Sequence, residues 1–286
     1  MVLALLACVE NGLAERKLDS LAVVLGDFDD VGTALSRMGV GVTEYDGFVV
    51  QATYEAEEGR TRRGEVGLSL EQLLTRDDTS GRAEIQLYQA VFINSGSRGL
   101  NAWRYDNLFE PDDSVLTDAD ALESLCGFVN GGETLVLSDW AYDAVEACWP
   151  DAVNFFGDEG GESGDTDAAQ TGEASSLVSA DVVSPELVER VGSDTVSLAY
   201  DFSNWAVITS VGPETEVLLS GAVRYQPSSG ESFQTLVDVP LLVRFTHNKG
   251  QVVYSTFHWA AQPPGLTDAL LLGAVEGLAD ASKGGA

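Results

Sequence analysis

Three short apolar runs constrain this chain more than any other feature: Leu21 to Leu25 (LAVVL), Gln89 to Asn94 (QAVFIN) and Thr134 to Leu137 (TLVL). Each is shorter than an ordinary helix and none alternates polar with apolar positions, so each reads as a strand covered on both faces. The first is followed by Gly26-Asp27-Phe28-Asp29-Asp30 and an amphipathic stretch, Val31 to Met38, after which Gly39 to Tyr45 begins another strand. That order suits a parallel pair joined by a right-handed crossover. Ahead of the third run, Asp118 caps a helix whose apolar residues Leu122, Leu125, Cys126 and Val129 recur at helical spacing, and Gly131-Gly132 stops it. The repeated alternation predicts an α/β domain with a doubly wound, largely parallel sheet.

The second half reads differently. Gly157 to Ser176 carries six acidic residues and no basic ones, which predicts a solvated, mobile insertion. A short helix from Ser184-Pro185 to Val191 is followed by strands at Thr195 to Tyr200, Ala206 to Ser210, Glu216 to Arg224, Val239 to Phe245 and Gln251 to Phe257, the last two joined as a hairpin. A closing helix runs from Thr267 to about Asp280. The predicted organisation is a signal-like segment and tether (1–20), one domain with a C-terminal β-rich elaboration (21–280) and a tail (281–286). With 286 residues, 44% of them apolar, the chain suffices for one large core.

Fifteen Lys and Arg against 46 Asp and Glu give a net charge of −31, so a polyanion meets net repulsion and nucleic acid is excluded as a partner. The first eight residues, MVLALLAC, resemble the lipobox of bacterial lipoproteins, with Cys8 as the lipidated residue. The expected location is then the bacterial cell envelope, with the membrane reached only through a lipid anchor; a cytoplasmic chain with an ordinary apolar N-terminal strand is the alternative. Cys126 and Cys148 form a disulfide in an oxidising envelope or stay as two buried thiols.

Chemistry in α/β proteins concentrates where a strand ends and a helix begins. The segment Gly131 to Tyr142 (GGETLVLSDWAY) puts Ser138, Asp139 and Trp140 at such a corner, with Ser138-Asp139 expected to cap a helix from about Trp140 to Cys148. His258, also at a strand end, pairs with Asp139 as a base or is a histidine satisfied by a structural carboxylate. Ser138 as a nucleophile lacks the Gly-x-Ser-x-Gly elbow. Asp27, Asp29 and Asp30 with Asp139 suit a divalent cation, while Asp29 and Asp30 equally suit capping of the helix at Val31. Trp140 and Trp259, with Asp27 and Asn94 at strand ends, are the ligand-binding candidates, for a small molecule or sugar; an envelope protein is the other partner class.

The segments Ala22 to Asp30, Gln89 to Ser95, Gly131 to Tyr142 and Pro240 to His258 (PLLVRFTHNKGQVVYSTFH) together resemble the class I glutamine amidotransferase-like superfamily, which includes the trehalose-utilisation-like proteins. The resemblance implies a cysteine at the corner, a histidine after the late hairpin and a glutamate two residues beyond it. Here Ser138 or Asp139 stands at the corner, His258 matches the histidine, and Ala260 stands where the glutamate would be. It therefore implies a degenerate member without glutaminase chemistry, used for binding or structure. The alternative is a hydrolase using His258 with Asp139 or Ser138, or a bound metal.

Overall fold

The computed structural model describes residues 20–47, 67–97, 99–100, 114–157, 169–227, 231–275 and 278. Cys8 and the tether, residues 158–168 of the acidic insertion and the tail lie outside them.

A nine-stranded sheet organises the chain, in two halves of different construction. The parallel half has the order β2-β1-β3-β4-β11, formed by β1 (Leu21–Val24), β2 (Thr43–Tyr45), β3 (Ala90–Ile93), β4 (Thr134–Ser138) and β11 (Gly250–Ser255). Side chains alternate strictly between its faces. Leu21, Val23, Phe92, Val136 and Val253 enter one core with helices α1 (Val31–Arg37), α5 (Pro185–Val191) and α6 (Pro264–Ala274). Ala22, Val24, Val91, Leu135 and Val252 enter the other with α2 (Leu70–Leu74), α3 (Ala119–Gly131) and α4 (Tyr142–Cys148). Burial on both faces is why these strands are unbroken apolar runs.

The helix ends are set locally. Asp30 accepts the Thr33 N–H at the start of α1, Ser69 and Gln72 form a capping box on α2, and Asp118 accepts two N–H groups of α3. Gly132, at φ +115°, ends α3 in the left-handed region that a side chain resists. One expectation fails here. Neither Ser138 nor Asp139 caps the following helix; a 3-10 turn, Asp139–Ala141, intervenes before α4. Cys126 of α3 and Cys148 of α4 form a disulfide, with Cα atoms 5.4 Å apart. Closing a loop over a sequence separation of 22 withholds about 3 kcal/mol of chain entropy from the unfolded state.

The antiparallel half continues the same sheet as β11-β10-β9-β6-β7, through β10 (Gln234–His247), β9 (Thr215–Tyr225), β6 (Ser175–Val182) and β7 (Thr195–Tyr200). β5 (Val153–Phe155) and β8 (Ile208–Val211) make a separate two-stranded ribbon. Strands β5 and β6 were not expected from the sequence. β6 begins inside the segment read as a mobile insertion, and just before it Gln170 and Gly172 form bridges to Ala206 and Tyr225 while Ala169 is buried. Residues 169–175 are therefore tied into the domain.

Register shifts interrupt the β10–β9 ladder between Leu236 and Val239 and on either side of Leu242. Such bulges bend a strand and increase its twist. The sheet curls enough for β7, its last strand, to meet the loop following β11. There the Tyr200 and Thr256 hydroxyls lie 2.8 Å apart, and the Gln262 amide bonds both backbone groups of Ala199. This return delivers a residue to the site that sequence order does not suggest.

Candidate functional site

The corner after β4 is built around Asp139, a non-glycine residue at φ +43°. That conformation costs an L-residue about 1 to 2 kcal/mol and needs fixed partners to hold it. They are present. The Tyr254 hydroxyl donates to the Asp139 carbonyl at 2.8 Å, and the Ala206 N–H donates to Oδ1 at 2.8 Å. Oδ2 receives the Ser95 hydroxyl at 3.2 Å and meets His258 Nε2 at 3.0 Å.

The other ring nitrogen of His258, Nδ1, lies 2.8 Å from Asp201 Oδ1, so the imidazole is held between two carboxylates. Burial by itself opposes a charged imidazole. The hydrogen bonds to Asp139 and Asp201, with the charges of Asp139 and Asp29, outweigh it and push the His258 pKa up to about 10. Burial likewise raises the Asp139 carboxyl, against the hydrogen bonds from His258, Ala206 and Ser95 that favour its anion. Hydrogen bonds to two carboxylates thus favour the protonated imidazole over the burial that opposes it.

Asp29 forms a second hub. Its Oδ2 accepts the Ser138 hydroxyl (2.7 Å) and the Trp259 N–H (3.1 Å); its Oδ1 accepts the N–H groups of Ala260 and Asp30 (both 2.9 Å). Asp29 thus pins the loop carrying His258 to the β1 and β4 loops, and only Asp30 caps α1. The Ser138 hydroxyl also accepts the Ser95 N–H, so it is engaged by the loops around it. The expected cation arrangement of Asp27, Asp29, Asp30 and Asp139 does not gather. Among the described residues no group of three or more His, Cys, Asp or Glu side chains has a metal-holding arrangement.

The chain steps from β2 back across β1 to β3, so the topological switch lies between β1 and β3, where open α/β sheets usually part to admit ligands. Here the two loops are joined. Asp27 N–H bonds Gly96 O and Phe28 N–H bonds Ser95 O, both at 3.2 Å, and a Cβ on Gly26 would collide with the Ser95 carbonyl. Asn94 is enclosed beside them, its Oδ1 accepting the Val31 N–H and its amide nitrogen buried without a partner.

The expected tryptophan platform is also corrected. Trp259 is fully buried against Phe257, and Trp140 is buried beside Phe28, with its indole N–H on Asn204 O at 2.7 Å. Neither presents a ring face outward, because both fill space under the loops. The exposed ring of the site is Phe202, 49% accessible, which packs on Phe28 and His258. The sequence reading brought Asp139 and His258 together and missed Asp201, Ser95 and Tyr254. The signal for Asp201 was its position directly after a predicted strand.

No family model matches the sequence, and no curated protein matches it. Solved structures with a similar chain path include a cytoplasmic protein from Salmonella typhimurium (15% identity, 88% of this chain and 96% of that one, TM-score 0.46). Others are a putative ThuA-like protein from Parabacteroides merdae (11%, 91% and 89%, 0.46) and a glutamine amidotransferase from Thermotoga maritima (9%, 84% and 75%, 0.40). All three fall below 25% identity and a TM-score of 0.5, so the α/β architecture rests on the strand order above.

Proposed function

We propose that this chain is a non-catalytic, amidotransferase-like binding domain of a bacterial envelope lipoprotein. One observation carries the reading: both carboxylate oxygens of Asp139 and both nitrogens of His258 are taken by internal partners. A general base needs a ring nitrogen open to substrate, and both nitrogens of His258 already face carboxylates of the chain. A thiolate route needs a cysteine beside a base, whereas Cys126 and Cys148 are oxidised to each other. That disulfide also supports an oxidising compartment, in keeping with a lipid on Cys8.

The purified protein is expected to release no ammonia from glutamine and no p-nitrophenol from p-nitrophenyl acetate above background. The hydrolase reading draws on one specific observation, the strained Asp139 elbow in line with His258 and Asp201. Turnover that scales with protein concentration and falls in Asp201→Asn would replace the binding reading with it. For the anchor, the expected result is a lipid-modified Cys8 peptide by mass spectrometry from the native host; an unmodified Cys8 removes the lipoprotein part.

A further inference from the structure

Buried and exposed carboxylates fare differently in this fold. Inside, Asp29 and Asp139 each gather several internal donors. On the surface the supply of cations falls short: 15 Lys and Arg face 46 Asp and Glu, so even complete pairing leaves 31 carboxylates without a basic partner. The described pairs Arg37–Asp268, Arg76–Glu123, Arg224–Glu173 and Arg244–Glu216 each include a partly or largely exposed side chain. Such pairs add little, so salt removes little by screening them. The imbalance is steepest in the antiparallel half. From Ser175 to Val223 seven carboxylates meet one basic residue, Arg190. The β6–β7 ladder sets Asp181 opposite Thr195 and joins the Val182 N–H to the Asp194 carbonyl, which brings Asp181 and Asp194 to neighbouring exposed positions at the far edge of the sheet. Glu189, on α5 between these strands in sequence, is exposed as well.

We propose that salt gates this fold: the native state is firmly held only at an ionic strength that screens the surface carboxylates from one another, and in dilute buffer the β6–α5–β7 edge loosens first. Length scales decide the sign. A folded chain of this size has a radius of gyration of about 19 Å, and the unfolded chain about 60 Å. The Debye length is about 30 Å at 0.01 M salt and about 3 Å at 1 M. In dilute buffer each surface carboxylate therefore feels charges across the whole folded molecule, whereas unfolding spreads the same charges apart. Repulsion bears mainly on the compact state, and screening relieves it. The attraction lost with four surface pairs is small beside the repulsion relieved among 31 uncompensated charges. The edge goes first because β7 has a strand neighbour on one side only, and β6 joins β9 through three paired residues, Ala180 to Val182. The Cys126–Cys148 disulfide, by contrast, ties together helices that cover the parallel half. None of this depends on how the site is read.

The test is thermal unfolding of the full chain at neutral pH, followed by circular dichroism in sodium, potassium and tetramethylammonium chloride. Between about 10 and about 300 mM salt the Tm is expected to rise by roughly 10 °C or more, equally for the three cations. That range lies below the concentrations at which solute exclusion dominates, so sucrose at matched osmolality should do little. The triple variant Asp181→Asn, Glu189→Gln, Asp194→Asn removes three exposed charges and no described side-chain hydrogen bond or ion pair. It should have a higher Tm than the wild type at low salt and a smaller rise with salt. Native-state hydrogen exchange should show β7 amides losing protection at low salt before β3 amides do. A wild-type Tm that is flat to within about 3 °C, or that falls with added salt, overturns the proposal. A rise confined to one cation overturns it too, since that marks a bound ion and not screening. Loss of β3 protection together with β7 overturns the edge-first part.

Discussion

Replacing His258 by alanine is expected to lower the unfolding free energy by roughly 3 to 5 kcal/mol, because it strands Asp139 as a buried carboxylate without its counter-charge. The effect should exceed what lost packing alone predicts, and the double variant His258→Ala, Asp139→Ala should recover part of it. Urea titration of the four proteins in this cycle measures the coupling. The same pair imposes a pH dependence. The folded pKa of His258 is raised from 6.5 to about 10, so the folded chain binds that proton more tightly than the unfolded chain does. The contribution is complete below about 6.5 and is lost as the pH rises through about 10, so stability should fall across that window. His258→Ala should flatten the profile there. A wild-type protein equally stable at both ends of the window would show that the imidazole is not held as a cation.

Asp29→Ala is expected to be comparably damaging, for a different reason. It removes the acceptor of four donors, the Asp30, Trp259 and Ala260 N–H groups and the Ser138 hydroxyl. A buried donor left without a partner costs about 1 to 3 kcal/mol, so a loss of roughly 3 kcal/mol or more is expected. Asp29→Asn should cost less, since one oxygen still accepts, but not nothing, because its NH2 then faces a backbone N–H that the carboxylate had accepted. Equal losses for the two variants would mean that both oxygens must accept for the loops to hold.

Much of the parallel half was legible because its determinants act within a few residues. β1, β3 and β4 bury both faces, which writes them into the sequence as apolar runs, and Asp30, Asp118 and Gly132 mark helix ends through their own neighbours. β6 was not legible: Leu177 is exposed while Val178, Ala180 and Val182 are buried, and small polar residues fill the positions between. Ser138 and Asp139 looked like helix caps because Ser and Asp favour caps. In the folded chain their side chains are engaged by residues up to 119 positions away, and those contacts override the local preference.

For the site, the residues alone identified Asp139 and His258 as strand-end neighbours, because parallel strands bring their carboxyl ends to one edge of a sheet. They also placed the corner without a thiol, which is a matter of identity and needs no coordinates. The tertiary structure decided what that pair is. Bulges in β10 curl the antiparallel half until β7 returns Asp201 to His258 Nδ1, and the joined β1 and β3 loops bring Asp29 under the backbone of Trp259 and Ala260. A sequence sets which groups can ionise or donate. Whether a histidine is a free base or a locked cation depends on the carboxylates that reach it through space, and here the second one arrives from the far edge of the sheet.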